Sequence, residues 1–160
     1  MKKGQNQLIF IYIFAIVVIG LIVIFGYRAI KNFKDLGDEG QIVLFIDGIK
    51  NKVNDVYSLD KGSSIKLDDI ILPSKVREIC FVDVDMPLND IIDDELIDQV
   101  VRDSLDSGSQ NNLFFVPQRG QSLSKVRFFV EHIKPIENPL CVTDMRITLE
   151  NKGDYVSVSR

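Results

Sequence analysis

Between Gly4 and Tyr27 the chain carries no charged residue, with Lys2-Lys3 before that run and Arg28, Lys31 and Lys34 after it. Such a stretch leaves few folding options. A helix rises about 1.5 Å per residue, so Leu8 to Phe25 would extend roughly 27 Å, close to the ~30 Å hydrocarbon core of a bilayer. Ile, Val, Leu and Phe fall on every side of that helix, and its polar groups, Gln5, Asn6, Gln7 and Tyr12, gather toward one end. A soluble amphipathic helix would keep a polar face. A helix buried on all sides would need more surrounding core than a 160-residue chain supplies, so the pattern predicts a membrane span with bilayer lipid around it. The apolar part is too long for an ordinary secretory signal peptide, and Gly26-Tyr27-Arg28 is not a small-x-small cleavage site.

Beyond the span the chemistry changes. Leu36 to Arg160 holds 22 acidic and 14 basic residues, a balance that argues against nucleic acid as a partner, since that requires a basic stripe. About 125 residues rich in Val, Ile, Leu and Phe are enough for one water-exposed domain with its own core. Lys2 and Lys3 face Arg28, Lys31 and Lys34 across the span, so the positive-inside rule alone does not set its orientation.

Asp35-Leu-Gly-Asp-Glu-Gly40 reads as a kink or short break. After it, Ile42, Phe45, Ile46, Ile49, Val53, Val56 and Tyr57 recur at helical spacing, predicting an amphipathic helix over 35–58 with one face for a sheet. From Asp60-Lys-Gly-Ser onward, short β-rich runs alternate with turn residues: Ser64–Leu72, Val76–Val84, Leu113–Val116, Val126–Ile133, Leu140–Leu149 and Tyr155–Ser159. Asn151-Lys-Gly-Asp154 predicts a hairpin between the last two. Asn89 to Leu105 has the spacing of one short helix capped by Asn89 or Asp90, and Asp106 to Asn112 is the one linker-like stretch. The expected fold class is α+β, with an N-terminal transmembrane helix extended into an amphipathic helix packed on a mostly antiparallel β-sheet head.

Lys2-Lys3-Gly4-Gln5 placed directly before an apolar helix resembles the leader of type IV pilins and archaellins, particularly the archaeal form. The resemblance implies cleavage between Gly4 and Gln5 by a prepilin peptidase, with the lysines left in the cytoplasm and the head outside the cell. It divides the chain into a leader (1–4), a transmembrane helix (5–34), an amphipathic continuation of the stem (35–58) and a β-rich head (59–160). It also implies other pilin-like subunits and assembly machinery as partners. One departure from the family bears on assembly: most pilins place a glutamate at the fifth residue after the cut, where this chain has Ile9. A carboxylate in lipid is costly and is kept where it has a use, so its absence suits a minor or non-polymerising subunit. The alternative is a single-pass membrane protein whose extracytoplasmic binding domain is unrelated to pili.

Cys80 and Cys141 each sit in an apolar strand, far apart in sequence and without histidines at zinc-ligand spacing. In an extracellular domain a disulfide between them would close a loop of about 60 residues and contribute on the order of 4 kcal/mol; otherwise they are two buried thiols. No catalytic constellation emerges. His132 is the only histidine, read here as a strand residue, and there is no Gly-x-Ser-x-Gly, His-Glu-x-x-His or Gly-rich phosphate loop. The acids Asp83, Asp85, Asp90, Asp93, Asp94, Glu95 and Asp98 are dense enough to suggest calcium but lack the glycine turn and closing glutamate of an EF-hand, and Asp93, Asp94 and Asp98 read more simply as the wet face of the short helix. Phe114-Phe115 and Phe128-Phe129 would each place one ring on either side of a strand, so one of each pair falls either outside the core, against a neighbouring subunit or the stem helix, or within helix–sheet packing, which accounts for at least half of them and needs no partner. The sequence therefore predicts a non-enzymatic structural or interaction protein at the cell surface, with no cofactor and no metal.

Overall fold

The computed structural model describes residues 3–68, 71–89, 92 and 94–160. Helix α1, Lys3–Tyr57, stays α-helical through Asp35–Gly40, where the sequence suggests a kink or short break in a nearly continuous rod from Gln5 to Ser58. The chain nevertheless divides into two units, Met1–Glu39 and Gly40–Arg160.

In the first unit, Ile11–Ile30 forms a 20-residue stretch of mean hydropathy 2.6 with none of its residues buried. Such a helix is long and apolar enough to cross a bilayer, and most of its Ile, Val and Phe side chains are exposed.

The second unit is an α+β domain. Its sheets are β1 (Ser64–Leu67), β7 (Ile147–Asn151), β8 (Val156–Ser159) and β5 (Ile133–Pro135) in that order, and β4 (Arg127–Phe128), β3 (Leu113–Pro117), β2 (Val76–Phe81) and β6 (Leu140–Val142) in that order. Pairing is antiparallel throughout except for β5 on β8, which is parallel. Two of the predicted strands are in fact split, for one shared reason. Val126–Ile133 holds β4 of one sheet and reaches the first residue of β5 in the other, and Leu140–Leu149 holds β6 of one sheet and the first three residues of β7 in the other. The chain changes sheets between them, and apolar side chains persist through each crossing because both sheets face one core.

That core joins Ile42, Phe45, Ile46, Ile49, Val53 and Val56 of α1 to residues of both sheets, including Ile79, Phe81, Phe115, Leu149 and Val158. Phe115 stands at its centre, edge-on to Phe45 at 5.7 Å and tilted against Phe128 at 4.9 Å. A second core lies on the opposite face of β2 and β3, where Cys80, Val82, Phe114 and Val116 meet Ile97 and Val101 of α2, Glu95–Asp106. Side chains alternate across a strand, so two covered faces bury Phe114 and Phe115 alike; for this pair the alternative of a ring outside the core is corrected. Phe129, by contrast, lies beyond β4 and is exposed.

Helix α2 begins later than its apolar spacing suggests. Asp94, and not the expected Asn89, is the N-cap, accepting from the Ile97 N–H at 3.3 Å; Asp90, the other expected cap, lies outside the described residues. Ile92 precedes the helix yet is buried in the same core, which is why the apolar period runs past the helix start. At the ends of β1 and β7, Gly62 (φ 91°) and Gly153 (φ 100°) occupy left-handed turn positions, and Lys152 N donates to Tyr155 O across the expected β7–β8 hairpin.

Candidate functional site

Three buried asparagines organise the loops of the domain. Asn151 Nδ2 donates to the carbonyls of Val56, Tyr57 and Leu59 at 3.1, 3.0 and 2.8 Å, closing the C-terminal end of α1, while its Oδ1 accepts from Gly153 N. Asn112 pairs with Val130 through both its amide groups, giving and receiving one hydrogen bond as a neighbouring strand would. Asn138 accepts from Asp83 N and donates to the carbonyls of Asp83, Met86 and Pro87, so it fixes the loop after β2. Sequence reasoning passed over all three. An asparagine in a turn ordinarily signals local bonding, and nothing local distinguishes one that reaches 92 to 95 residues away.

The Asn138-held loop and β5 line two open clefts of the domain. One, of about 340 Å³, is lined by Asp83, Asp85, Phe129, His132, Lys134 and Tyr155 among others. A second, of about 420 Å³, shares Asp83, Asp85, Lys134 and Tyr155 with it and adds Met86 and Ile136. Lys134 therefore stands between them, its Nζ 2.7 Å from Asp85 and 3.4 Å from the buried Asp83. The hydrogen bond to Asp85 raises the Lys134 pKa against the opposing cost of burial, with Asp83 adding to the effect, so the ammonium is held protonated.

His132 is not a strand residue. It occupies a turn before β5 at φ 62°, its ring stacked on Tyr57 at 3.8 Å and its Nε2 3.5 Å from Glu131. The described members of the acidic cluster disperse. Asp83 and Asp85 go to Lys134, Asp94 caps α2 and lies 3.8 Å from Arg77, and Asp98 accepts from Arg102 at 2.6 Å. Hydrogen bonding from Arg102, partly opposed by burial, holds the Asp98 carboxyl below its ordinary value of 3.8. Asp90 and Asp93 lie outside the described residues, and among those described no three acids, cysteines or histidines are grouped to hold a metal.

Cys80 and Cys141 are joined by a disulfide, directly opposite each other in the β2–β6 register. Gly4 and Gln5 lie in the first turns of α1. No protein-family model, curated protein or solved structure matches the chain.

Proposed function

We propose that this chain is a membrane-anchored, pilin-like surface subunit of the minor or non-polymerising kind, acting by contact through an extracytoplasmic head. The observation that carries the reading is α1 itself: a single helix supplies an apolar stretch over Ile11–Ile30 and then the buried stripe Ile42 to Val56 of an α+β domain. The Lys2-Lys3-Gly4-Gln5 run before that stretch supports processing between Gly4 and Gln5. The Cys80–Cys141 disulfide supports an oxidising surrounding for the head. Pairing of Lys134 and the acids with one another, and the stacking of His132 on Tyr57, favour a structural or binding role over catalysis.

Ile9, where most pilins have a glutamate, favours a second reading: a single-pass protein whose binding head has no connection with pili. Intact mass of the protein from native membranes separates the two. A chain beginning at Gln5, with or without an added methyl group, supports the pilin-like reading. A chain retaining Lys2 to Gly4 sinks it and leaves the signal-anchored binding domain.

A further inference from the structure

Large apolar side chains on a domain surface carry a free-energy cost unless something covers them, and their placement is informative only when they gather. After α1, the exposed large apolar side chains among the described residues are Leu59, Ile71, Val84, Met86, Leu96, Phe129 and Ile136. Four of these seven line the two clefts that meet at Lys134: Val84 and Phe129 on one side, Met86 and Ile136 on the other. Their exposures, 37%, 46%, 46% and 59%, leave each ring or chain partly embedded and partly presented. Phe129 also walls a smaller hollow of about 150 Å³ with Lys50, Asn54 and Glu131, so the ring stands as a ridge with a recess on each side.

The polar groups of the groove give it a sign. Both lysines of the two clefts that meet at Lys134 are already matched: Lys134 by Asp85 and Asp83, and Lys152 by Glu150 at 2.7 Å. Two carboxylates therefore share the single charge of Lys134, and Asp154 has no cation within ion-pair distance among the described residues. The surplus is negative and lies beside the apolar ridge. Backbone pairing along β5 is restricted, because Pro135 offers no N–H, so recognition falls to side chains.

We infer that this groove is a docking site for a segment of another protein that presents a large apolar side chain next to a lysine or arginine. The apolar side chain seats against Phe129 in the cleft on its side of Lys134, and Met86 and Ile136 flank the neighbouring cleft. The cation takes up the surplus charge of Asp85 and Asp154, and the ordered Asp83–Lys134 pair forms a floor that needs no rearrangement on binding. The inference rests on reading the head as a contact domain and not on cleavage after Gly4, so the intact-mass result and the result below fail independently.

The test is a 12-residue random peptide library panned against the full chain in lipid nanodiscs, followed by affinity measurement of enriched peptides. The expected sequences hold an aromatic or long aliphatic residue within two positions of a Lys or Arg. Phe129→Ala, at an exposed site that does not endanger folding, is expected to weaken them at least tenfold, and Leu96→Ala, outside both clefts, to leave them unchanged. With Asp85→Asn, replacing the peptide's basic residue by Ala should cost several-fold less than with the native chain. Enrichment of acidic peptides, no enrichment over empty nanodiscs, or binding indifferent to Phe129 would overturn the proposal. So would Phe129-dependent self-association of the full chain on mass photometry, which would make the groove a contact between copies.

Discussion

Asn151 gathers the carbonyls of Val56, Tyr57 and Leu59 on one amide, and its removal takes a donor from each, although Val56 O keeps the hydrogen bond from Leu59 N and the other two carbonyls are only partly buried. Asn151→Ala is expected to lower unfolding stability by about 1–2 kcal/mol, read from the denaturant midpoint. Asn151→Asp should be worse at neutral pH, because it turns a donor into a carboxylate facing carbonyl oxygens; equal stability of the two variants would refute the capping role. Asp98 offers a pH test. Its folded pKa is lowered below 3.8 by Arg102, so its contribution is present above that value and disappears as pH falls through the folded pKa. Asp98→Asn should cost up to about 1 kcal/mol at pH 6 and progressively less below pH 4, seen as converging melting temperatures. A constant gap down to pH 2 would mean that the carboxylate charge does not contribute. Asp98 was legible in sequence as a helix-face acid, four residues before Arg102. Asn151 was legible only as a turn residue, since its partners are set by the tertiary fold.

At the scale of elements, the helical spacing of Ile42 to Val56 and the β-rich runs after Asp60 were enough to place most elements, because each buries one periodic face. The run Leu113-Phe114-Phe115-Val116 carried more information than alternation alone allows. Four consecutive apolar residues fit a strand covered on both faces, and α2 supplies the second cover. The sheet changes after β4 and β6 were not legible, because crossing residues such as Val130 and Met145 are as buried as strand residues. Phe115→Ala, which empties the contact between Phe45 and Phe128, is expected to destabilise by about 3–5 kcal/mol. The disulfide ties β2 to β6 across 61 residues, and the double change Cys80→Ala, Cys141→Ala should cost roughly 4 kcal/mol by restoring freedom to the unfolded chain. Urea unfolding of the native protein, of Phe115→Ala and of the doubly substituted protein measures both effects; for the cysteines the comparison is made in non-reducing buffer. A loss below about 1 kcal/mol would show that the paired strands hold without the covalent tie.

For the whole molecule the decisive partition is between lipid and water. The Ile11–Ile30 stretch exposes apolar side chains on all its faces, and leaving them in water would forfeit about 25 cal/mol for each Å² that a bilayer could cover. The native chain is therefore expected to stay with the membrane pellet after alkaline carbonate extraction. A single arginine near the middle of a span raises the insertion cost by about 2.5–3.5 kcal/mol, enough to move a marginal segment but not to unfold the separate α+β unit. Ile19→Arg should accordingly shift a measurable fraction of the chain to the soluble fraction, whereas Leu96→Arg on the exposed face of α2 should shift none. If the native chain were itself released by carbonate, the apolar stretch would have to be covered by protein, and both readings of this chain as a single-pass protein would fall with the anchor.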